Sequence, residues 1–252
     1  MTDGRFSRRG LFFTAGAGVL GVAVLNTVAG CADNSSHSQS GSSAAAATPS
    51  APPPSPAGIG GWKQVNMSYV SAYLLVRGKE VAVVDLGMPG SESSIEQGLK
   101  AAGQNWAAVK HVILTHQHDD HVGGLEAVST VVKASFYAGI LDVDAIITKT
   151  KLKPVKQGDE VFGLQIIDTP GHTLGHISVF DPSNGVLVSG DALRTNTGSL
   201  TGSDPKYTTD PFRAARSVKK LATMDIKAIL PGHGSPVLVN ASGELQKLAA
   251  TL

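Results

Sequence analysis

Apolar and polar positions along residues 62–252 alternate in short blocks, which predicts strands and helices in turn. The apolar runs AYLLV and VAVVD predict two strands that are joined at RGKE. The stretch SESSIEQGLKAAG starts with serine, ends with glycine and is amphipathic between them, so it predicts a helix. The first part of this region is therefore expected to be a strand pair followed by a helix.

The middle of the region continues the same alternation. The runs HVILT and ASFYA predict two more strands, with a helix over residues 124–131 between them and a weaker helix over residues 141–148 after them. A series of strands is then predicted over residues 161–189. The sequence DPSNG within that series supplies the residues that a tight turn between two strands requires.

The last part of the chain predicts two helices around one strand. Asp210 is a good helix cap and Pro211 suits the first helical position. Three apolar residues share one face of that helix: Ala214, Val218 and Leu221. The strand AIL leads into PGHG, and the final helix is expected to turn three leucines inward: Leu245, Leu248 and Leu252. Two β-rich halves, each with helices, predict an α+β layered sandwich with the helices outside.

The first 31 residues have a different pattern, namely a charged start, an apolar run over residues 11–29 and a small-residue end. This is the layout of an export signal. The pair Arg8 and Arg9 resembles a twin-arginine signal, and the residues before Cys31 resemble a bacterial lipobox. The resemblance implies a protein exported and lipid-anchored through Cys31 on the outer face of the cytoplasmic membrane, or a periplasmic one. An uncleaved transmembrane helix is the alternative.

Composition narrows the remaining choices. Residues 32–61 are mostly Ser, Ala, Pro and Gly, which predicts a disordered linker between the signal and one domain over residues 62–252. The single cysteine excludes an intramolecular disulfide. Because 21 basic residues balance 20 acidic ones, no nucleic-acid partner is expected, and the predicted partners are a small-molecule substrate and the membrane.

The stretch THQHDDHVGG directly follows the predicted strand HVILT. Side chains two positions apart on an extended backbone point the same way, so His116 and His118 are expected to reach one ion. The tightening loop after them is expected to turn Asp120 and His121 toward a second ion. Imidazole and carboxylate groups are suitable zinc ligands.

Three more polar residues follow apolar runs farther along the chain. His172 comes after LQIID, Asp191 after VLVS and His233 after AIL, each beside a glycine that lets backbone approach closely. Loops at strand ends are where a rigid sheet commonly assembles a site. The sequence therefore predicts that these residues meet the histidines of THQHDDHVGG.

The pattern HxHxDH over residues 116–121, followed by His172, Asp191 and His233, resembles the metallo-β-lactamase superfamily. That resemblance covers residues 62–252 and implies a four-layer αββα sandwich with two Zn²⁺ ions, or iron or manganese in their place. It implies one ion on His116, His118 and His172, and the other on Asp120, His121 and His233. Asp191 would bridge the ions and Asp85 would support the ligands. His176 is a candidate for a similar supporting contact.

Two neighbouring divalent ions lower the pKa of a shared water, so that a metal-bound hydroxide can attack a substrate near neutral pH. Asp120 is the candidate catalytic residue that orients this water and moves its proton. Typical members that hydrolyse β-lactams carry Cys or Ser where this chain has Asp191. The bridging aspartate instead resembles glyoxalase II-type thioesterases and lactonases, which implies a metal-dependent hydrolase of a small ester, thioester or lactone.

Several alternatives to this interpretation stay open at the level of sequence. A persulfide dioxygenase with one iron shares much of the motif, and a β-lactam-hydrolysing enzyme or a non-catalytic surface lipoprotein are further alternatives. Substrate contacts are expected from the polar stretch after Asp191, with Arg194, Lys206 and Tyr207 as candidates. Met88 in LGMPG is expected to form the opposite wall.

Overall fold

The computed structural model describes residues 59–252. The predicted export signal, Cys31 and the predicted linker up to residue 58 lie outside the described residues. Ile59 packs against the hydrophobic core, and the Gly61 carbonyl accepts a hydrogen bond from the Val76 amide at 3.1 Å. Residues 59–61 therefore contact the domain. No helix within residues 59–252 has the length and apolar character needed to cross a bilayer.

The first sheet has six strands in chain order. They are β1 (Trp62–Met67), β2 (Val70–Arg77), β3 (Glu80–Val84), β4 (Val109–Leu114), β5 (Ser135–Gly139) and β6 (Leu152–Val155). Strands β1, β2 and β3 pair antiparallel, and strands β3 to β6 pair parallel. The carboxyl ends of β3, β4 and β5 therefore lie at one edge of this sheet.

The second sheet begins with four consecutive antiparallel strands. They are β7 (Glu160–Val161), β8 (Leu164–Asp168), β9 (Ile177–Asp181) and β10 (Val186–Gly190). A separate hairpin follows, formed by β11 (Leu193–Asn196) and β12 (Ser199–Gly202). Strand β13 (Ala228–Pro231) then returns to pair parallel with β10, which gives the order β13-β10-β9-β8-β7.

Five α-helices complete the described part of the chain. They are α1 (Glu92–Ala101), α2 (Asp119–Val122), α3 (Leu125–Val131), α4 (Pro211–Leu221) and α5 (Ala241–Ala250). Apolar residues of α1 and α3 pack on the outer face of the first sheet, and those of α4 and α5 pack on the second. A third cluster fills the space between the sheets. The predicted four-layer αββα sandwich is confirmed.

One strand can contact the layers on both of its faces because its side chains alternate. On β2, Leu74 packs toward α1 while Tyr73 and Leu75 pack toward the second sheet, because successive side chains point to opposite faces. Asp181 at the end of β9 adds a polar connection between the sheets. It accepts hydrogen bonds from Trp62 Nε1 at 3.1 Å and from Arg77 at 2.9 Å.

Most predicted elements occur where expected, and the Asp210 side chain caps α4 by accepting from the Arg213 amide at 2.9 Å. The helix predicted over residues 141–148 is wrong, since only a 3₁₀ turn over Val143–Ala145 forms there. The chain turns at the start of this stretch, because the Asp142 amide donates to the Gly139 carbonyl. The inward position of Leu252 is also wrong. This residue lies beyond the end of α5 and is 46% exposed.

Candidate metal centre

The candidate ligands come from four separate stretches of chain that meet at one edge of the sandwich. His116 follows β4, His172 follows β8, Asp191 follows β10 and His233 follows β13. The segment after His118 is a helical turn, α2, rather than an irregular loop. This turn carries Asp120 and His121. The structure thus brings all seven predicted ligands together.

Three histidines form the first cluster, and their ring nitrogens face one another. His116 Nε2 lies 3.1 Å from His118 Nδ1, and His172 Nε2 lies 2.9 Å from the same atom. Burial lowers the pKa of His116 well below its usual value, and burial lowers the pKa of His172 to about 4. Both rings are therefore neutral at pH 7 and have lone pairs available for a cation.

Asp120, His121 and His233 form the second cluster, in which the candidate ligand atoms lie within 4.8 Å of one another. His233 Nε2 is 3.3 Å from Asp120 Oδ2 and 3.4 Å from His121 Nε2. The side chains of Asp120 and His233 are each about one quarter exposed, whereas His121 is fully buried. The second cluster is therefore closer to solvent than the first.

Asp191 lies between the two clusters. Its Oδ2 is 3.3 Å from His172 Nε2 and 3.2 Å from His233 Nε2, and its Oδ1 is 3.2 Å from His121 Nε2. The backbone at residue 232 can approach Asp191 closely because this residue is glycine. A Cβ at Gly232 would overlap Asp191 Oδ1. One carboxylate can thus reach ligand atoms of both clusters.

The electrostatics of the cluster fit divalent cations. Asp191 Oδ1 is buried and makes no hydrogen bond of acceptable geometry, although His121 is close. Burial lowers the pKa of His233, but hydrogen bonds to Asp120 and Asp191 outweigh it and raise that pKa to about 10. Within the described residues, no lysine or arginine pairs with these carboxylates. Cations bound by nitrogen and oxygen ligands could balance the charge of Asp120 and Asp191.

Asp85 positions two of the histidines from the Nδ1 side of their rings, directly for His121 and through Thr115 for His116. It is buried, and its Oδ2 accepts from His121 Nδ1 at 2.8 Å and from the Thr115 hydroxyl at 2.8 Å. The Thr115 oxygen lies 3.0 Å from His116 Nδ1. This network places a proton on Nδ1 of both rings, so Nε2 is the nitrogen that each ring turns toward the cluster and that could bind a cation.

His176 is buried beside the centre, but its nitrogens are already used. Its Nε2 accepts from the Asp191 backbone amide at 3.0 Å, and its Nδ1 lies 2.8 Å from the Thr169 hydroxyl. The ring therefore holds the Asp191 backbone and does not offer a lone pair to an ion. His111 lies on β4 away from the centre, against the rings of Tyr137 and Phe162.

A cavity of about 580 Å³ opens above the two clusters. Met88 and Tyr207, both predicted contacts, line it together with Tyr69, which was not among the predicted contacts. Arg194 also lines the cavity, where it donates to Asp204 at 2.9 Å. The predicted contact Lys206 is not part of the lining, and its amino group instead lies 4.8 Å from the centre of the Tyr207 ring.

Comparison with known proteins agrees with this geometry. A family model described as the metallo-beta-lactamase superfamily matches residues 65–233, a range that contains every candidate ligand. The chain belongs to this superfamily. A probable metallo-hydrolase from Bacillus subtilis, YflN, is 28% identical over 215 residues, covering 68% of this chain and 81% of the relative. Metallo-beta-lactamase domain-containing protein 1 from Xenopus laevis is 35% identical and covers 68% and 73%.

Other matches are partial or structural. A hydroxyacylglutathione hydrolase from Pseudomonas putida is 36% identical, but over 46% of this chain and 43% of that protein. A metallo-beta-lactamase family protein from Thermus thermophilus superposes with a TM-score of 0.60 at 24% identity, over 76% of this chain and 79% of the other. TTHA1623, solved in a di-iron-bound form, has the same TM-score and identity over 75% and 98%. The predicted class of metal-dependent hydrolase is confirmed at the level of the superfamily.

Proposed function

We propose that the chain is an exported, membrane-anchored dinuclear zinc hydrolase acting on a small ester, thioester or lactone. The observation that carries this proposal is the position of Asp191. Its carboxylate lies within 3.3 Å of ligand nitrogens in both clusters, on His172 on one side and on His233 on the other. A carboxylate in that position suits a bridge between two ions rather than the coordination of one.

The residues around the cavity support a reaction with water. Two divalent ions held by the clusters would lower the pKa of water and polarise a substrate carbonyl. Asp120 lines the cavity, and although burial raises its pKa, the hydrogen bond to His233 and the nearby charges of His121 and His233 together outweigh burial and lower it. Asp120 is therefore ionised at pH 7 and can accept a proton from attacking water and return it to the leaving group.

The walls of the cavity favour a substrate with an apolar portion. Tyr69, Met88 and Tyr207 are 55%, 39% and 57% exposed, so all three present large surfaces to whatever enters. The arginine of the lining, Arg194, is already paired with Asp204. An uncharged ester, thioester or lactone with an aliphatic substituent would bury apolar area against these walls. Such a substrate would bring no charge that needs a partner in the cavity.

The test uses the full chain, purified and analysed for metal before assay with lactones, thioesters, phosphodiesters and β-lactams. Turnover of a lactone or thioester with two zinc ions per chain is expected, and Asp191→Ala and His116→Ala should abolish it. His111→Ala is the matched control, since it removes a histidine from β4, the strand that leads to His116, without touching the clusters. That variant should keep wild-type turnover.

Other outcomes of this experiment would contradict the proposal. One iron per chain with oxygen consumption on a persulfide would favour the dioxygenase, and iron deserves measurement because TTHA1623 holds it on the same fold. Turnover of β-lactams alone would favour an antibiotic hydrolase. Bound metal without turnover on any substrate would favour a non-catalytic lipoprotein.

Export and anchoring are supported by the sequence of residues 1–31. In a bacterial host, the full chain should fractionate with the membrane and incorporate labelled fatty acid. Cys31→Ser should abolish labelling and release the protein from the membrane. Replacing both Arg8 and Arg9 by lysine should retain it in the cytoplasm. A Cys31→Ser protein that stays in the membrane fraction would instead favour an uncleaved transmembrane helix.

A further inference from the structure

Asp142 is a buried carboxylate close to the metal centre that belongs to neither ligand cluster. It follows β5, is 1% exposed, and is absent from every group of ligand atoms that converge within 4.8 Å among the described residues. We propose that Asp142 is a positioning residue that sets the geometry of the His116, His118 and His172 cluster. This inference rests on the proposed two-ion function.

The contacts of Asp142 connect the two loops that carry this cluster. Its Oδ2 accepts from the Gln117 backbone amide at 3.2 Å and from the Thr173 hydroxyl at 2.5 Å, and its Oδ1 accepts from the Gly175 amide at 2.7 Å. Gln117 lies between His116 and His118, and Thr173 directly follows His172. A single carboxylate therefore fixes the distance between the loop after β4 and the loop after β8.

The surroundings of Asp142 leave this carboxylate little freedom to move. A Cβ at Gly175 would overlap the Asp142 backbone nitrogen, and a Cβ at Gly139 would overlap the Gly175 carbonyl oxygen. The Asp142 backbone itself donates to the Gly139 carbonyl at 2.8 Å. The end of β5 and the loop after His172 are thus in direct backbone contact, and Asp142 is held between them.

Asp85 and Asp142, the two buried carboxylates of this edge that are not candidate ligands, act on different parts of the centre. Asp85 bonds to the ring of His121 and, through Thr115, to His116. Asp142 bonds to neither ring but to the backbone and hydroxyl groups beside His118 and His172. Loss of Asp142 should therefore weaken the ion held by the three-histidine cluster more than the ion held by Asp120, His121 and His233.

Asp142→Asn keeps the size of the side chain but replaces one carboxylate oxygen by an NH₂ group. That group would face the N–H and O–H donors that now bond to Asp142. The full chain is loaded with zinc and titrated with a competing chelator, and the zinc retained per chain is counted. We expect one of the two zinc ions to bind about tenfold or more weakly, as is typical when a group that supports metal ligands is lost. The other ion should keep its affinity within about twofold. Thr173→Val, which removes a single donor, should change the same ion in the same direction by less.

Asp181→Asn is the matched control. Asp181 is also fully buried and also accepts from a backbone amide and from a serine hydroxyl, but it is the last residue of β9, at the end of that strand away from the ligands. This variant should lower the thermal unfolding temperature and leave both zinc affinities unchanged. It separates general destabilisation from positioning of the cluster.

The outcomes distinguish this inference from the proposed function. A wild-type chain that binds no zinc, or only one ion, contradicts the two-ion function itself. A wild-type chain with two zinc ions whose affinities survive both Asp142→Asn and Thr173→Val overturns the role of Asp142. Zinc loss by Asp181→Asn equal to that of Asp142→Asn would overturn it as well. If Asp142→Asn does not fold, Thr173→Val decides the question.

Discussion

Replacing Asp85 by asparagine should block one metal ligand without changing the shape of the site. Asp85 accepts the Thr115 amide on Oδ1 at 2.7 Å, and it accepts His121 Nδ1 and the Thr115 hydroxyl on Oδ2. An amide has only one oxygen. If that oxygen meets the Thr115 amide, the NH₂ group meets His121 Nδ1 and favours the tautomer protonated on Nε2, the nitrogen that faces Asp191 and His233.

The magnitude follows from the contacts that are lost. If the amide is reversed, its NH₂ group faces the Thr115 N–H, so each orientation leaves at least one buried donor without an acceptor. Removing a ligand-supporting hydrogen bond typically weakens metal binding about 10- to 100-fold, which corresponds to about 1.4 to 2.8 kcal/mol. The metal-free protein should also lose about 2 kcal/mol of stability, since hydrogen bonds to a charged group each contribute about 1.5 to 3 kcal/mol.

Competition with a chromogenic chelator measures the zinc affinity of the metal-free full chain, and chemical denaturation measures its stability. Thr115→Val removes the link to His116 but keeps the amide that bonds Asp85, so its effect should be smaller. Asp159→Asn is a control of equal charge change in a turn away from the centre, where Asp159 accepts the Lys156 amide. If Asp85→Asn binds zinc with the affinity of the wild type, the assignment of tautomers around Asp85 is wrong.

Three further predictions concern metal, stability and specificity. Removal of metal by a chelator should lower the stability of the chain by about 2.7 kcal/mol per ion relative to protein in metal at 100 times its Kd, as differential scanning calorimetry would record; equal unfolding curves would contradict it. Asp181→Ala leaves Trp62 Nε1 and the partly exposed Arg77 without their acceptor, and should cost about 3 kcal/mol in denaturant unfolding. Its zinc content should be unchanged, and a loss of zinc would show that the two ends of the sandwich are coupled. Met88→Ala and Tyr207→Ala should raise KM several-fold for substrates with aliphatic chains and little for the smallest esters, because each removes apolar area from the cavity wall. An equal change in KM for both substrate classes would show that Met88 and Tyr207 do not determine specificity.

The strands that directly precede the ligands in the chain could be predicted from the sequence, because they are uninterrupted apolar runs followed by polar residues. The sequence did not identify β1, whose buried residues Trp62 and Val65 are three positions apart and do not alternate with period two. It also did not identify the hairpin of β11 and β12. Apart from Leu193 and Leu200, the residues of that hairpin are polar or glycine, and only Leu193 is fully buried, so the stretch looks like a surface loop.

The residues that support the site were harder to find than the ligands. Asp142 lies in a stretch that looked like a weak helix, and its donors are 25 to 33 positions away in the chain. Tyr69 accepts from His233 Nδ1 through its backbone carbonyl at 2.6 Å, a contact that any residue type could make. Local spacing can indicate a ligand, because the metal requires particular side chains. It cannot indicate a partner whose role depends on the packing of distant strands.

The direction of the strands explains why these residues converge. In the first sheet, β3, β4 and β5 are parallel, and their carboxyl ends lead in order to Asp85, His116 and Asp142. In the second sheet, β8 and β10 are both antiparallel to β9, and β13 is parallel to β10, so their carboxyl ends lead to His172, Asp191 and His233 at one edge. Sites in sheets of this kind form outside the carboxyl ends of the strands. Asp142 therefore follows β5 as Asp85 follows β3, with β4, the strand that leads to His116 and His118, between them. A buried carboxylate on each side of β4 can hold these histidines in place.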